Sequence, residues 1–100
     1  MSVDAEPIAI TYKNQGEYGY KLGIAVIDED SDPVTIPAGV NFIYYDTLGV
    51  KNTVVGARSA NIAYYEALIT DFLIPGSYRY WLECFTLDIY GPFELKILKV

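Results

Sequence analysis

The sequence contains no histidine, and this absence removes most enzyme chemistry. Histidine is the commonest general base, a member of the Ser-His-Asp and Cys-His arrangements, and the usual ligand of catalytic zinc. The chain also lacks a Walker loop and a G-x-G-x-x-G fingerprint, so no phosphate cradle is indicated. No pair of carboxylates is marked out for glycoside hydrolysis. We therefore expect a protein that is not an enzyme, with no catalytic residues and no cofactor.

Cysteine is almost absent as well. Cys84 is the only one, so no internal disulfide can form. It shares a predicted strand face with Tyr80 and Leu82 and has no neighbouring base, which indicates a small core residue rather than a nucleophile. The N-terminal stretch MSVDAEP has no basic or apolar segment, and no apolar run approaches the roughly 18 residues of a membrane span. We expect no signal peptide, no membrane contact, and assembly in a cytoplasm.

Basic residues are few and dispersed. Seven lysines and arginines against thirteen acidic residues give a net charge of −6, and they are scattered between Lys13 and Lys99. A protein that binds phosphate backbones gathers its basic side chains on one face. The charge therefore predicts no binding of nucleic acid or anionic membranes, and its simplest role is solubility.

What the sequence does contain is a series of short β-rich runs separated by turn residues. This pattern predicts one domain, 1–100, that folds as an all-β, immunoglobulin-like antiparallel β-sandwich of about seven strands. The predicted strands are 8–13, 18–26, 40–46, a weaker one near 50–55, 60–69, 78–85 and 93–99. In 18–26 the large residues Tyr18, Tyr20, Leu22, Ile24 and Val26 share one face.

Two segments leave alternatives open. In 60–69, Ser59 is a suitable helix cap, and Ile62, Tyr65, Ile69 and Leu73 have helical spacing. The tyrosine pair and the neighbouring strands instead favour a strand. In the polar turn, Asp28, Asp30 and Asp32 alternate as at the start of a calcium loop, but the sixth and twelfth positions of an EF-hand are not matched. A looser calcium site or a solvated turn both fit, and we assign no metal ligands. A loop is predicted at 88–91.

Aromatic residues are abundant: ten tyrosines, four phenylalanines and one tryptophan. Most tyrosines are needed for the core. Trp81 and Phe85, however, alternate with the core residues of their strand and share a face with Arg79, and Ile43 and Tyr45 alternate with the core residues of theirs. Aromatic side chains are enriched at protein interfaces. The sequence therefore predicts a protein-contact face made by Ile43, Tyr45, Arg79, Trp81 and Phe85.

Four stretches carry a resemblance to a known family. They are "ITYKNQGEYGYKLGIAVIDEDSDPV", "IPAGVNFIYYDTLGV", "PGSYRYWLE" with its Pro-Gly turn before alternating residues, and "GPFELKILKV". In their order along nearly the whole chain they resemble the immunoglobulin-like modules of tailed-phage virions, and most of all the N-terminal domain of the baseplate upper protein family. The resemblance implies a non-enzymatic virion component and transfers no site residues.

The resemblance and the residues together lead to one expected function and two alternatives. We expect a structural or adaptor subunit of a phage tail or baseplate, located in the virion and assembled in the host cytoplasm. Its partners would be other tail or baseplate proteins, or further copies of the chain. The first alternative is a module that recognises a glycan or protein on the host surface. The second is a small acidic inhibitor of a host protein, because an acidic surface can imitate nucleic acid.

Overall fold

The computed structural model describes residues 3–7, 12–68 and 70–100, and these form an all-β sandwich. Nine strands occur in these ranges. They are β1 (Val3–Pro7), β2 (Tyr12–Asn14), β3 (Lys21–Asp28), β4 (Val40–Tyr45), β5 (Lys51–Val55), β6 (Ala57–Ser59), β7 (Ile62–Glu66), β8 (Gly76–Cys84) and β9 (Asp88–Leu98). The predicted fold class is confirmed, and the short strands β1 and β6 come in addition to the seven expected. None of the described residues belongs to a helix long and apolar enough to cross a membrane.

The strands form two sheets. One has four strands in the order β1-β3-β7-β6, and the other has five in the order β2-β9-β8-β4-β5. All neighbouring strands are antiparallel except β2 and β9, which are parallel. The order of the first sheet, and the order β9-β8-β4 in the second, are those of the two sheets of an immunoglobulin-like sandwich.

The core lies between the sheets and is largely aromatic at its centre. Phe42 of β4 is fully buried, and its ring stacks on that of Tyr65 of β7 with centroids 4.7 Å apart and planes 12° apart. This contact joins the two sheets. Tyr80 of β8 packs against the same phenylalanine at 5.3 Å. Ring contacts of this kind add roughly 0.5–1.5 kcal/mol each beyond the area that they bury.

A second feature of the fold is a tyrosine that ties the start of β8 to the preceding loop. The Tyr78 hydroxyl donates a hydrogen bond to the backbone carbonyl of Ile74, four residues upstream, and its side chain is buried. A tyrosine near the start of the corresponding strand makes the same kind of bond in immunoglobulin domains, where it is called the tyrosine corner. In those domains a cysteine follows two residues later, and here that position is occupied by Tyr80.

The predicted limits of several elements are confirmed or corrected. The segment 60–69 contains the strand β7, so the helical alternative is wrong for its described residues, and Ile69 lies outside them. Of the first predicted strand, 8–11 lie outside the described residues and 12–13 belong to β2. Residues 71, 72 and 74 form bends, without a helical turn.

Two predictions of local structure are wrong. Tyr18 does not belong to the buried face of β3: the strand begins at Lys21, and Tyr18 is 62% exposed in the loop before it. Gly19, at φ 80°, turns the chain there and donates its N–H to the carbonyl of Ala67. The loop predicted at 88–91 is instead the first part of β9, because the turn lies at 85–87. Gly91 and Pro92 mark a bulge within the strand, opposite a register shift between Tyr80 and Leu82.

We predict that Tyr78→Phe lowers the free energy of unfolding by about 1 kcal/mol. The variant loses the hydroxyl that donates a hydrogen bond to the carbonyl of Ile74, while the packing of the ring is kept. Urea denaturation followed by circular dichroism measures the change. Tyr18→Phe is the matched control, because the Tyr18 ring is largely exposed. Equal stabilities for the two variants would contradict a stabilising role of this hydrogen bond.

We also predict that the protein loses stability in alkaline solution. Burial raises the pKa of Tyr20 and Tyr80 to about 12 and that of Cys84 to about 11, and it raises the pKa of Tyr44, Tyr65 and Tyr78. These pKa values lie above those of the same groups in the unfolded chain. The contribution of these groups to the free energy of unfolding is therefore fully present below about pH 9 to 10, where they are neutral in both states. That stability is lost as the pH rises through the native values.

Melting temperatures between pH 8 and 12, together with tyrosinate absorbance, test this expectation. The five buried or half-buried tyrosines whose pKa is raised should ionise only above the ordinary tyrosine range near pH 10, together with unfolding. Ionisation of all ten tyrosines in one step near pH 10, in a chain that stays folded, would contradict the burial of these hydroxyls.

Candidate protein-contact face

Four of the five predicted contact residues lie side by side on the outside of the five-stranded sheet. Ile43 of β4 is paired across the strands with Trp81 of β8, and Tyr45 is paired with Arg79. All four point away from the core because they alternate with the buried Phe42, Tyr80 and Leu82. We call the side of β9, β8, β4 and β5 that carries them the outer face.

Trp81 lies at the centre of the outer face and is held in a fixed position. Its ring meets the ring of Tyr45 edge-on, with centroids 5.3 Å apart and planes 67° apart. On the β9 side, a Cβ atom at Gly91 would lie 2.7 Å from Cδ1 of Trp81, so only glycine lets the indole lie this close to the strand. The indole and Ile43 are therefore half-buried by their own sheet, and they are less exposed than the alternation alone predicts.

Two rows of side chains flank this centre. On one side lie Ile89, Glu83, Asn41 and Val55, and on the other lie Glu94, Arg79, Tyr45 and Lys51, in the strand order β9, β8, β4, β5. The amide Nδ2 of Asn41 donates a hydrogen bond of 3.1 Å to Oε1 of Glu83. Charged and polar groups thus surround an apolar centre, as in the core and rim of a protein interface.

Phe85 lies apart from the other predicted contact residues. It follows β8, is 44% exposed and donates its backbone N–H to the carbonyl of Gly39. A Cβ atom at Gly39 would lie 3.2 Å from its ring. The hydrogen-bonded pair Asn41 and Glu83 separates it from Trp81, so the five residues do not form one continuous aromatic patch.

A groove that the sequence did not indicate opens beside Trp81. It has a volume of about 410 Å³ and lies between Tyr45, Asp46 and Thr47 on one side and Arg79 and Trp81 on the other. The Asp46 carboxylate shapes its wall: Oδ1 accepts the N–H groups of Leu48 (2.9 Å) and Val50 (3.0 Å). An aspartate ahead of a Leu-Gly turn is the sequence signal for such a loop.

The three aspartates of the polar turn have a structural explanation. Their carboxylate oxygens lie within 4.8 Å of one another, which is a geometry that acidic surface groups also adopt without an ion. Oδ1 of Asp28 accepts hydrogen bonds from the N–H groups of Asp30 (2.9 Å) and Asp32 (3.0 Å). Together with the backbone hydrogen bonds from Asp28 N–H to the carbonyl of Asp32 and from Ser31 N–H to the carbonyl of Asp28, the Asp28 carboxylate closes the turn, and this role requires no metal.

Cys84 has the core position that the alternation predicts. It is 2% exposed, and burial raises the pKa of its thiol to about 11. A thiol that stays protonated and is screened from solvent is a poor nucleophile. Cys84 therefore serves packing.

We predict that Asp28→Ala destabilises the fold by about 1 kcal/mol, since two backbone N–H groups lose their acceptor. Asp30→Ala is the control, because the exposed Asp30 side chain accepts none of the turn's hydrogen bonds and should leave stability unchanged within about 0.5 kcal/mol. Thermal melts of both variants give the comparison. A larger loss for Asp30→Ala than for Asp28→Ala would show that the turn is held in another way.

Comparison with known proteins assigns no family to this chain. No model of a protein family matches the sequence, and no curated protein matches it. The case for a protein-contact role therefore rests on the fold and on the geometry of the outer face.

Proposed function

We propose that this chain is a non-catalytic protein-association domain that binds its partner through the outer face. The observation that carries the proposal is the position of Trp81. The only tryptophan of the chain lies outside an aromatic core that is already filled, and Gly91 and Tyr45 hold it in one orientation. A rigid aromatic anchor costs little side-chain entropy on binding, which is why tryptophan and tyrosine dominate interface energies.

Among the residues that the structure describes, no such anchor lies at the centre of the outside of the other sheet. Its central positions on β3 are Gly23 and Ala25, which are paired with Tyr64 and Ile62 of β7. The ammonium group of Lys21 lies 4.9 Å from the centroid of the Tyr64 ring and covers it. Of the two sheets, the five-stranded one therefore has the better contact surface.

The outer face is also large enough for a specific contact. The strands β9, β8, β4 and β5, each about 4.8 Å wide and with 11, 9, 6 and 5 residues at about 3.4 Å each, give a projected area of roughly 500 Å². A standard interface buries about 800 Å² of accessible surface on each partner. Accessible surface exceeds projected area wherever side chains protrude, so the two values are of the same order.

The setting that we propose is the tail or baseplate of a phage particle, as the resemblance of the four sequence stretches implies. In this setting the domain is a structural or adaptor subunit, and its partners are other virion proteins or copies of itself. Mass spectrometry of purified particles of the phage that encodes the chain tests the setting. Stoichiometric amounts of the chain are expected, and its absence from the particles would contradict a virion role.

The groove beside Trp81 favours one alternative, recognition of a glycan on a host surface. Sugars bind against aromatic rings and accept hydrogen bonds from groups such as the Arg79 guanidinium, and both surround this groove. Titration with glycans, followed by the fluorescence of Trp81, tests this function. A saturable change with one glycan class would support it over protein association, whereas silence across a glycan array would remove it.

Site-specific photo-crosslinking tests the proposed association directly. A photoreactive phenylalanine analogue is placed at Thr53 or Ser77, which are exposed at the outer face, and at Tyr64 on the outside of the other sheet as the control. We expect crosslinked products of defined mass from the two outer-face positions and none from the control. They should disappear with Trp81→Ala and persist with Tyr18→Ala. Absence of products from the outer face in particles and in concentrated solution would contradict the proposed function.

A further inference from the structure

We infer that the outer face binds the outer face of a second copy of this chain, with a two-fold axis that runs along the strands between β4 and β8. This inference rests on the proposed function and names the partner. A two-fold interface brings the same surface of both copies together. Each side chain must therefore be compatible with the residue that lies in the same row, at the same distance on the other side of the axis, in the second copy. Rotation about this axis places β8 over β4 of the second copy, and β9 over β5.

The central row satisfies this requirement. Trp81 of one copy faces Ile43 of the other, and the rotation produces this apolar contact twice. At the two ends of the central row, Gly91 on β9 faces Thr53 on β5 of the second copy. Two small residues therefore lie beside the contact between Trp81 and Ile43. Large side chains therefore meet in the middle of the face, where burial contributes most to binding.

The row that contains Arg79 matches in charge. Glu94 at one end of this row faces Lys51 at the other end in the second copy, and Arg79 faces the ring of Tyr45. The first contact is an ion pair and the second a cation–π contact, which arginine favours. Glu94 is the cross-strand neighbour of Arg79, but within the described part of the chain Arg79 forms no ion pair or hydrogen bond, so its guanidinium is free to contact the ring of the second copy.

The row that contains Glu83 matches in polarity. Ile89 faces Val55 of the second copy, and both side chains are more than half exposed in one copy, at 51% and 82%. Glu83 faces Asn41, the residue type whose amide already donates to it within one copy. The three rows thus place apolar groups on apolar groups and charged groups on partners that satisfy them.

Charge balance also favours a second copy. The three rows carry two basic and two acidic side chains and no net charge, and the next row adds the positive charge of Lys96 beside Ser77, although the whole chain carries −6. Copies of an acidic protein repel one another through most of their surface, and a face without excess negative charge lowers that repulsion where they meet. Packed sheets cross at about 30°, and the long Lys51 and Glu94 side chains can span the displacement that this angle produces at the edges.

The other face-to-face arrangement is less favourable. With a two-fold axis across the strands through Trp81, Arg79 would face Glu83 of the second copy, but Lys51 would face Val55 and Glu94 would face Ile89. The last two contacts each bury a charge against an apolar side chain without a partner, which is costly, whereas the axis along the strands leaves none of these four charges against an apolar group. The axis along the strands is therefore the one that the distribution of charges supports.

Exchange of the two charges that face each other tests the inference. Dimer dissociation constants are measured by sedimentation equilibrium for the wild type, Lys51→Glu, Glu94→Lys, their equimolar mixture, and the variant with both changes. Each single variant places two pairs of like charges in contact and should weaken the dimer about tenfold or more. The mixture forms mixed dimers, and the doubly changed chain forms its own, so both should return to within about threefold of the wild type.

Matched controls separate this contact from general effects of charge and folding. Glu29→Lys makes the same charge change as Glu94→Lys in the exposed polar turn and should not weaken the dimer. Recovery in the mixture cannot occur if the single variants are unfolded. A wild-type chain that stays monomeric at millimolar concentration, or a dimer that neither charge exchange weakens, would overturn the inference. If the monomeric chain still crosslinks to a different protein from Thr53 or Ser77, the second copy is excluded and the proposed function stands.

Discussion

The fold depends on a stack of aromatic rings between its two sheets. In antibody domains a disulfide and a tryptophan join the sheets at this place. Here Phe42 is stacked on Tyr65, and Tyr80 packs beside them, at the middle of a core without a covalent bond between sheets. The rings are large enough to fill the space between sheets about 10 Å apart. Loss of any one would leave a cavity that its rigid neighbours cannot fill.

This constraint also determines what lies on the outside. Because Phe42 and Tyr80 must point inward, the residues that alternate with them must point outward, and these include Ile43 and Trp81. A shift of one residue would bury Arg79 and expose Tyr80. The bulge at Gly91 then completes the outer face, because the absence of a side chain at Gly91 leaves room for the indole of Trp81 against β9.

The sequence predicts those parts of the molecule that follow from local alternation. In β8, four buried residues alternate with Arg79, Trp81 and other outward side chains, and both sets were found from the period of two. The limits of elements were harder to predict where tertiary contacts decide them. Tyr18 continues the alternation of β3, but the chain turns at Gly19 toward Ala67, and no local signal shows this. Gly91 and Pro92 are residues typical of loops, and the long pairing of β8 with β9 keeps them within a strand.

The outward positions of Ile43, Tyr45, Arg79 and Trp81 were predicted from the sequence, whereas the separation of Phe85 from them and the layout of the outer face were not. That Ile43 pairs with Trp81, and Tyr45 with Arg79, depends on the register between β4 and β8, which are more than thirty residues apart in the chain. The same long-range register brings Glu94 next to Arg79, and Lys51 next to Tyr45, and so produces the rows on which self-complementarity depends. The groove wall that Asp46 shapes exists only once the loop 46–50 has folded around its carboxylate, so the sequence alone does not indicate the groove.

The most direct measurement of the outer face is the dependence of backbone amide chemical shifts on protein concentration, by nuclear magnetic resonance of the isotopically labelled chain. If the outer face is the contact surface, the amides of β4, β5, β8 and β9 and the indole N–H of Trp81 should shift as the chain is diluted. Those of β1, β3, β6 and β7 should stay constant. Shifts confined to the four-stranded sheet, or none over the whole concentration range, would contradict self-association through the outer face.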